Sequence, residues 1–164
     1  MFKSLLCCPC TDVEVDEEDG FYRVAIAIAE RNGGNDIVTI ECELAPYPLA
    51  DFSEESVYEF SFSISYVALD GSSEPCVTQD RDLAKGYIPG LSRPFIMPSV
   101  CNALNALLDC VEPCIIYRVV KHPHLPEKAM QKHSAITHSL QNRGDETIKE
   151  GKDSFNRSFY VMQR

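Results

Sequence analysis

The feature that most limits the fold is the run VYEFSFSISYV at residues 57–67, where Tyr58, Phe60, Phe62, Ile64 and Tyr66 alternate with Glu59, Ser61, Ser63 and Ser65. Successive side chains of a strand point to opposite faces, so a period of two gives one aromatic and aliphatic face and one polar face. A helix, with its period of 3.6, cannot sort these residues that way. An antiparallel sheet with one face on a core and the other in water satisfies both sets. The strand therefore needs neighbours at its sides and a cover over its apolar face.

The neighbours lie upstream. FYRVAIAIAE and DIVTIECEL flank RNGGN, and Asn-Gly between two β-type runs predicts a hairpin, because both central residues must accept positive φ. Tyr22, Val24, Ile26 and Ile28 share one face of the first run, and Val38, Ile40, Cys42 and Leu44 share one face of the second. Glu41 and Glu43 then point the other way. Three strands in a meander result.

The cover lies downstream. After an irregular stretch at 70–97, broken by glycines and prolines, PSVCNALNALLDCV places Val100, Leu104, Leu107, Leu108 and Val111 on one helical face, with Pro98 at the first turn. CIIYRVV reads as a buried strand. PEKAMQKHSAITHSLQNRG reads as a second helix, with Met130, His133, Ile136, Thr137 and Leu140 on one side and Gly144 ending it. TIKE, GKDSFNR and SFYVMQR predict a C-terminal β-hairpin. The expected architecture is a single α+β domain of order β-β-β-α-β-α-β-β: a mostly antiparallel sheet with two helices covering one face. A chain of 164 residues buries a core without metals or disulfides.

Residues 1–20 stand apart in composition. They hold Cys7, Cys8 and Cys10, then DVEVDEEDG, and a run of like charges is usually solvated. The expectation is a flexible acidic, cysteine-rich leader at 1–20 and one α+β domain at 21–164. The longest unbroken apolar run is Val24 to Ala29, too short to span a bilayer. MFKSLLCC lacks the pattern of a secretory signal. Lipid-anchor motifs require small residues before the cysteine or a glycine as the second residue, and here the second residue is Phe2. The expected compartment is the cytosol, where thiols stay reduced. No membrane association is expected.

Charge narrows the function classes. With 25 acids and 15 bases the chain carries −10, which argues against nucleic acid and anionic membrane as partners and favours a basic protein partner. There is no P-loop, Rossmann fingerprint or nucleophile elbow. Two metal readings are open from residue types: Cys7 and Cys10 at two-residue spacing, and His122 and His124 flanking Pro123. Neither has a matched second ligand pair, so no cofactor is expected. His122 or His124 beside nearby acids gives a weaker hydrolase reading.

The function expected from these residues is a small acidic binding protein without catalytic activity, docking a basic partner as an inhibitor or immunity protein does. Its contact residues would be Glu41, Glu43 and Glu59 on the polar sheet face, with Asp80 and Asp82 from the long loop at its rim. The alternative is a metal- or thiol-dependent protein using the N-terminal cysteine cluster.

Overall fold

A computed structural model describes residues 1–31, 33, 35–52, 56–68, 73–76, 86–120 and 127–164. Among them are nine strands of one sheet: β1 (Lys3–Ser4), β2 (Asp16–Glu18), β3 (Phe21–Arg31), β4 (Asp36–Pro46), β5 (Val57–Val67), β6 (Ser73–Cys76), β7 (Ile115–Val120), β8 (Glu146–Lys152) and β9 (Ser158–Gln163). Two helices, α1 (Arg93–Val111) and α2 (Glu127–Asn142), join them. The main strand order is β1-β3-β4-β5-β7-β9-β8, with β2 also on β3 and β6 also on β5. All pairings are antiparallel except β5 with β7, which run parallel from Val57↔Ile115 to Glu59↔Tyr117. The fold is the expected single-domain α+β class, with the meander β3-β4-β5 and the hairpin β8-β9 at its two ends.

The meander forms for the reason its pattern gives. Val24, Ile26, Ile28, Val38, Ile40, Cys42, Leu44, Phe60 and Ile64 are all buried on the helix-facing side. Tyr58, Phe62 and Tyr66 pack half-buried against the same core. A register shift between Ala27 and Ala29 breaks strict alternation, so Ile28 and Ala29 are both enclosed. A bulge of this kind admits an extra core side chain at the cost of one ladder position. Helix α1 contributes Val100, Ala103, Leu104, Leu107 and Leu108, and α2 contributes Ile136 and Leu140. By length and hydropathy α1 alone among the described helices would suffice to cross a membrane; here its apolar stripe packs on the sheet.

Helix α1 begins earlier than its sequence pattern suggests. It starts at Arg93, with Pro94 in the first turn and Pro98 inside the helix. Pro94 occupies the position where a missing N–H costs nothing, and Pro98 forfeits only one bond near the N-terminal end. The helix stops where Glu112 turns left-handed (φ 47°), its N–H reaching the Leu108 carbonyl at 2.9 Å. The stretch expected to be irregular also contains β6, which extends the sheet beyond β7 along the far half of β5.

Residues 1–20 are the main correction to the sequence reading. They are built into the sheet and the core rather than standing off as a leader. Lys3 and Ser4 pair with Glu30 and Ala29, and Asp16 to Glu18 pair with Arg23 to Phe21. Phe2 and Leu6 are 8% and 6% exposed in the main core, and Val13 and Val15 pack against it. The segment is pinned to α1 by polar contacts: Cys10 N–H donates to Ser99 Oγ at 2.9 Å, and Asn102 Nδ2 donates to the Cys10 carbonyl at 2.8 Å. Phe2 also sits edge-on to Tyr66 and Tyr87, with the Arg31 guanidinium 4.8 Å above its ring. Solvation of the acids does not prevent this, because Val13 and Val15 alternate with them and turn inward.

Candidate functional site

The face of the meander turned away from the helices is a short ladder of rows that register defines. Asp16, Arg23, Glu43 and Ser61 form one row, and Ala25, Glu41 and Ser63 the next. A third row, Ala27, Thr39 and Ser65, follows. Two residues along a strand span roughly 7 Å, so these rows make a compact surface. Glu41 is exposed and Glu43 half-exposed, as alternation predicts. Glu59 lies on the same face one row beyond Glu43, opposite Ala45. Wetness is not uniform: Ser65 is 3% exposed, and Thr39 Oγ1 is enclosed with no hydrogen-bond partner among the described residues.

The structure brings acids together that sequence reasoning did not combine. Asp16 and Glu18, from β2, flank Arg23 on this face. Arg23 Nε bonds Glu43 Oε2 at 2.7 Å, and its Nη1 lies 4.0 Å from Glu18 Oε2. The hydrogen bond to Glu43, then its charge, holds the Arg23 guanidinium above its ordinary pKa. Phe21, 38% exposed, lies 5.9 Å below the same guanidinium. A cation thus sits among Asp16, Glu18, Glu41 and Glu43, beside an accessible aromatic ring. Glu43 is therefore already engaged within the chain, and Glu41 is the more available acid of the pair. Asp80 and Asp82, expected at the rim, lie outside the described residues.

The missed signals were present in the sequence. Asp19 and Gly20 have φ of 53° and 80° between paired Glu18 and Phe21. That is a two-residue hairpin turn needing positive φ at both positions, for which Asp-Gly is well suited. The alternation in DVEVD marks the strand that leads into it.

Opposite the helices, β7 and β9 carry a second, smaller core. Val57, Ile115, Tyr117 and Val161 are buried there, with Tyr47, Leu49, Phe52, Val119 and Phe159 around them. Tyr47 stacks on Tyr117 with ring centres 4.5 Å apart. Beside this cluster is an open depression of about 240 Å³ lined by Phe52, Tyr117 and Phe159 and edged by the Lys149–Asp51 ion pair at 2.5 Å. Burial and the neighbouring Tyr47 push the Tyr117 hydroxyl up to about 12.

Under α2 lies an interior polar cluster. Arg118 on β7 is 3% exposed; its Nη1 donates to Thr137 Oγ1 at 3.0 Å and its Nη2 to the His133 carbonyl at 3.4 Å. Burial pushes this guanidinium down to about 10, and burial with the nearby Arg118 charge pushes His133 down to about 4. The guanidinium, bonded to a helix carbonyl and a helix hydroxyl, fastens α2 to the sheet. Cys42 is pushed up to about 12 by burial, the behaviour of a core thiol.

The weak metal candidates divide. Cys7, Cys8 and Cys10 line an open groove of about 460 Å³ against Ala25, Ile26 and Ala27 of β3. Among the described residues no group of three or more His, Cys, Asp or Glu side chains converges on a metal position. His122 and His124 lie outside the described residues. Compared with family models, with curated proteins and with solved structures, the chain matches none.

Proposed function

We propose that this is a small acidic binding protein without catalytic activity that docks a basic protein partner through the open face of β2, β3 and β4. The observation that carries the reading is the convergence of Asp16, Glu18, Glu41 and Glu43 around the cation Arg23, with Phe21 exposed beside them. Exposed acids on one face raise the encounter rate with a basic partner and fix its orientation. Phe21 supplies an apolar anchor of the kind that docking surfaces use at their centre. Glu59 continues the acidic surface toward β7. Compared with the face expected from sequence, the proposed contact set gains Asp16 and Glu18.

The test has two stages. Affinity capture on the full chain, followed by mass spectrometry, identifies the partner. Association is then measured for the wild type and for a Glu18→Lys, Glu41→Lys double variant at low and high salt. A slower on-rate with a shallower salt slope is the expected result. An unchanged on-rate removes this face from the mechanism, and an acidic partner overturns the reading altogether. A second reading, thiol-dependent action, is supported by the convergence of Cys7, Cys8 and Cys10 on one groove.

A further inference from the structure

The groove beside β3 borders the docking face at Ala25 and Ala27 and adds two features of its own. Cys7 and Cys8 are exposed, and Cys10, in the same wall, is held by Ser99 and Asn102 of α1. Leu5, Val13, Ala25 and Ala27 supply the apolar part of the groove, over the buried Leu6 and Ile26, and the carboxylates Asp12 and Glu14 also line it. Leu5 is itself 42% exposed. The volume, about 460 Å³, lies in the range of clefts that take small organic ligands.

We propose that Cys7 and Cys8 are sites of S-acylation by a long-chain fatty acyl thioester whose apolar chain lies in this groove. The thiolate Sγ attacks the carbonyl carbon of the acyl–coenzyme A thioester. The carbonyl carbon's bond to the coenzyme sulfur breaks, and the new thioester joins Sγ to the acyl group. Free coenzyme A leaves as its thiol, taking up the proton that the cysteine gave to solvent. No oxidant or reductant is consumed. S-acylation requires neither a glycine at position 2 nor small residues before the cysteine, so the absence of those motifs does not bear on it.

Other thiol chemistry fits less well. The α-carbons of adjacent residues are about 3.8 Å apart, short of the roughly 4.4–6.8 Å that disulfides span, so Cys7 and Cys8 do not close on one another without backbone movement.

Cys110 and Cys114 provide an internal control, because both are exposed and neither lines the groove. The full chain is incubated with palmitoyl–coenzyme A at neutral pH, and each cysteine is followed by peptide mass spectrometry. Cys7 and Cys8 are expected to acylate at least about tenfold faster than Cys110 and Cys114, the ratio that burial of two methylenes supplies. Ala27→Trp, and separately Ala25→Trp, should fill the groove and bring that ratio close to one while circular dichroism remains that of the wild type. Equal rates at the four cysteines overturn the proposal. So does a ratio that survives both tryptophan variants, or a disulfide to Cys10 as the main product.

Discussion

On the side of the sheet turned to the helices, Val38, Ile40, Cys42 and Leu44 are enclosed almost completely, whereas Glu41 and Glu43, from the same strand, meet solvent and Arg23. The two faces differ in what fixes their residues. The covered face is determined by volume and apolarity, since close-packed interiors tolerate neither gaps nor unpaired charge. The open face is determined by charge and by small side chains, with Ala25, Ala27, Ser61 and Ser63 keeping it low between the acids. The lesson is that one strand carries two independent specifications, and substitutions on its two faces should separate cleanly into stability and association effects.

The largest effect should come from removing residues 1–15, which close one side of the covered face. Phe2 and Leu6 are each worth roughly 1.5–3 kcal/mol of burial, and the bonds to Ser99 and Asn102 go with them. Chemical denaturation of the shortened chain should give a stability loss of ~5 kcal/mol, or no cooperative transition. A shortened chain as stable as the whole would return this segment to the status of a detached leader.

Next comes the core of the covered face itself. Leu104→Ala should cost ~2–5 kcal/mol in urea unfolding, because Leu104 is fully enclosed between α1 and the sheet. Val161→Ala, in the smaller core on the other side, should cost less, about 1.5 kcal/mol for two methylenes. Equal costs would mean that the two sides of the sheet are not unequal cores.

His133 sharpens the comparison by pH. Its folded pKa, near 4, lies below the ordinary histidine value because of burial and Arg118. Below the unfolded pKa the unfolded chain takes up a proton that the folded chain refuses, so this group's contribution falls as pH drops from about 6.5 toward 4, and is constant above. In thermal melts, His133→Gln should flatten the stability slope between about pH 6.5 and 5, above the range where most carboxylates titrate. An identical slope in the variant would show that His133 is not the group responsible. The smallest effect should be Glu41→Lys, within about 0.5 kcal/mol of wild-type stability by the same denaturation, since Glu41 is solvated. A larger loss would mean that the open face is part of the core after all.

How much of this was readable from the sequence depended on which residues had to be compared. The meander was legible because its signals are local: alternation within 57–67, and turn residues at 31–35 between two β-type runs. The second helix and the C-terminal hairpin were legible for the same reason. The start of α1 was not, because two prolines four residues apart both suit a first turn, and only packing of Ile96 and Ser99 decides between them. The place of residues 1–20 was obscured by charge. Six acids suggested solvation, while the evidence for a strand lay in Val13 and Val15 and in the Asp19-Gly20 turn. The acidic surface was accordingly half visible: Glu41 and Glu43 follow from alternation, but Asp16 and Glu18 join them only once β2 is paired with β3. The burial of Arg118 under α2 has no local sign in CIIYRVV, since it depends on Thr137 and His133 arriving from another element.

The bonds from Ser4 to Ser92 and from Cys10 to Ser99 and Asn102 join positions 88 to 92 residues apart. During synthesis at roughly 5–20 residues per second, the opening segment therefore waits about 5–20 s for α1 to be made. The meander can pair in that interval, because its strands are sequential and its turns short. Its apolar face then has neither the helix nor the strap that will later close it. Over those seconds the nascent chain presents Val24, Ile40 and Phe60 together as an uncovered surface, and that interval, more than the finished protein, is when the chain most needs a chaperone's protection.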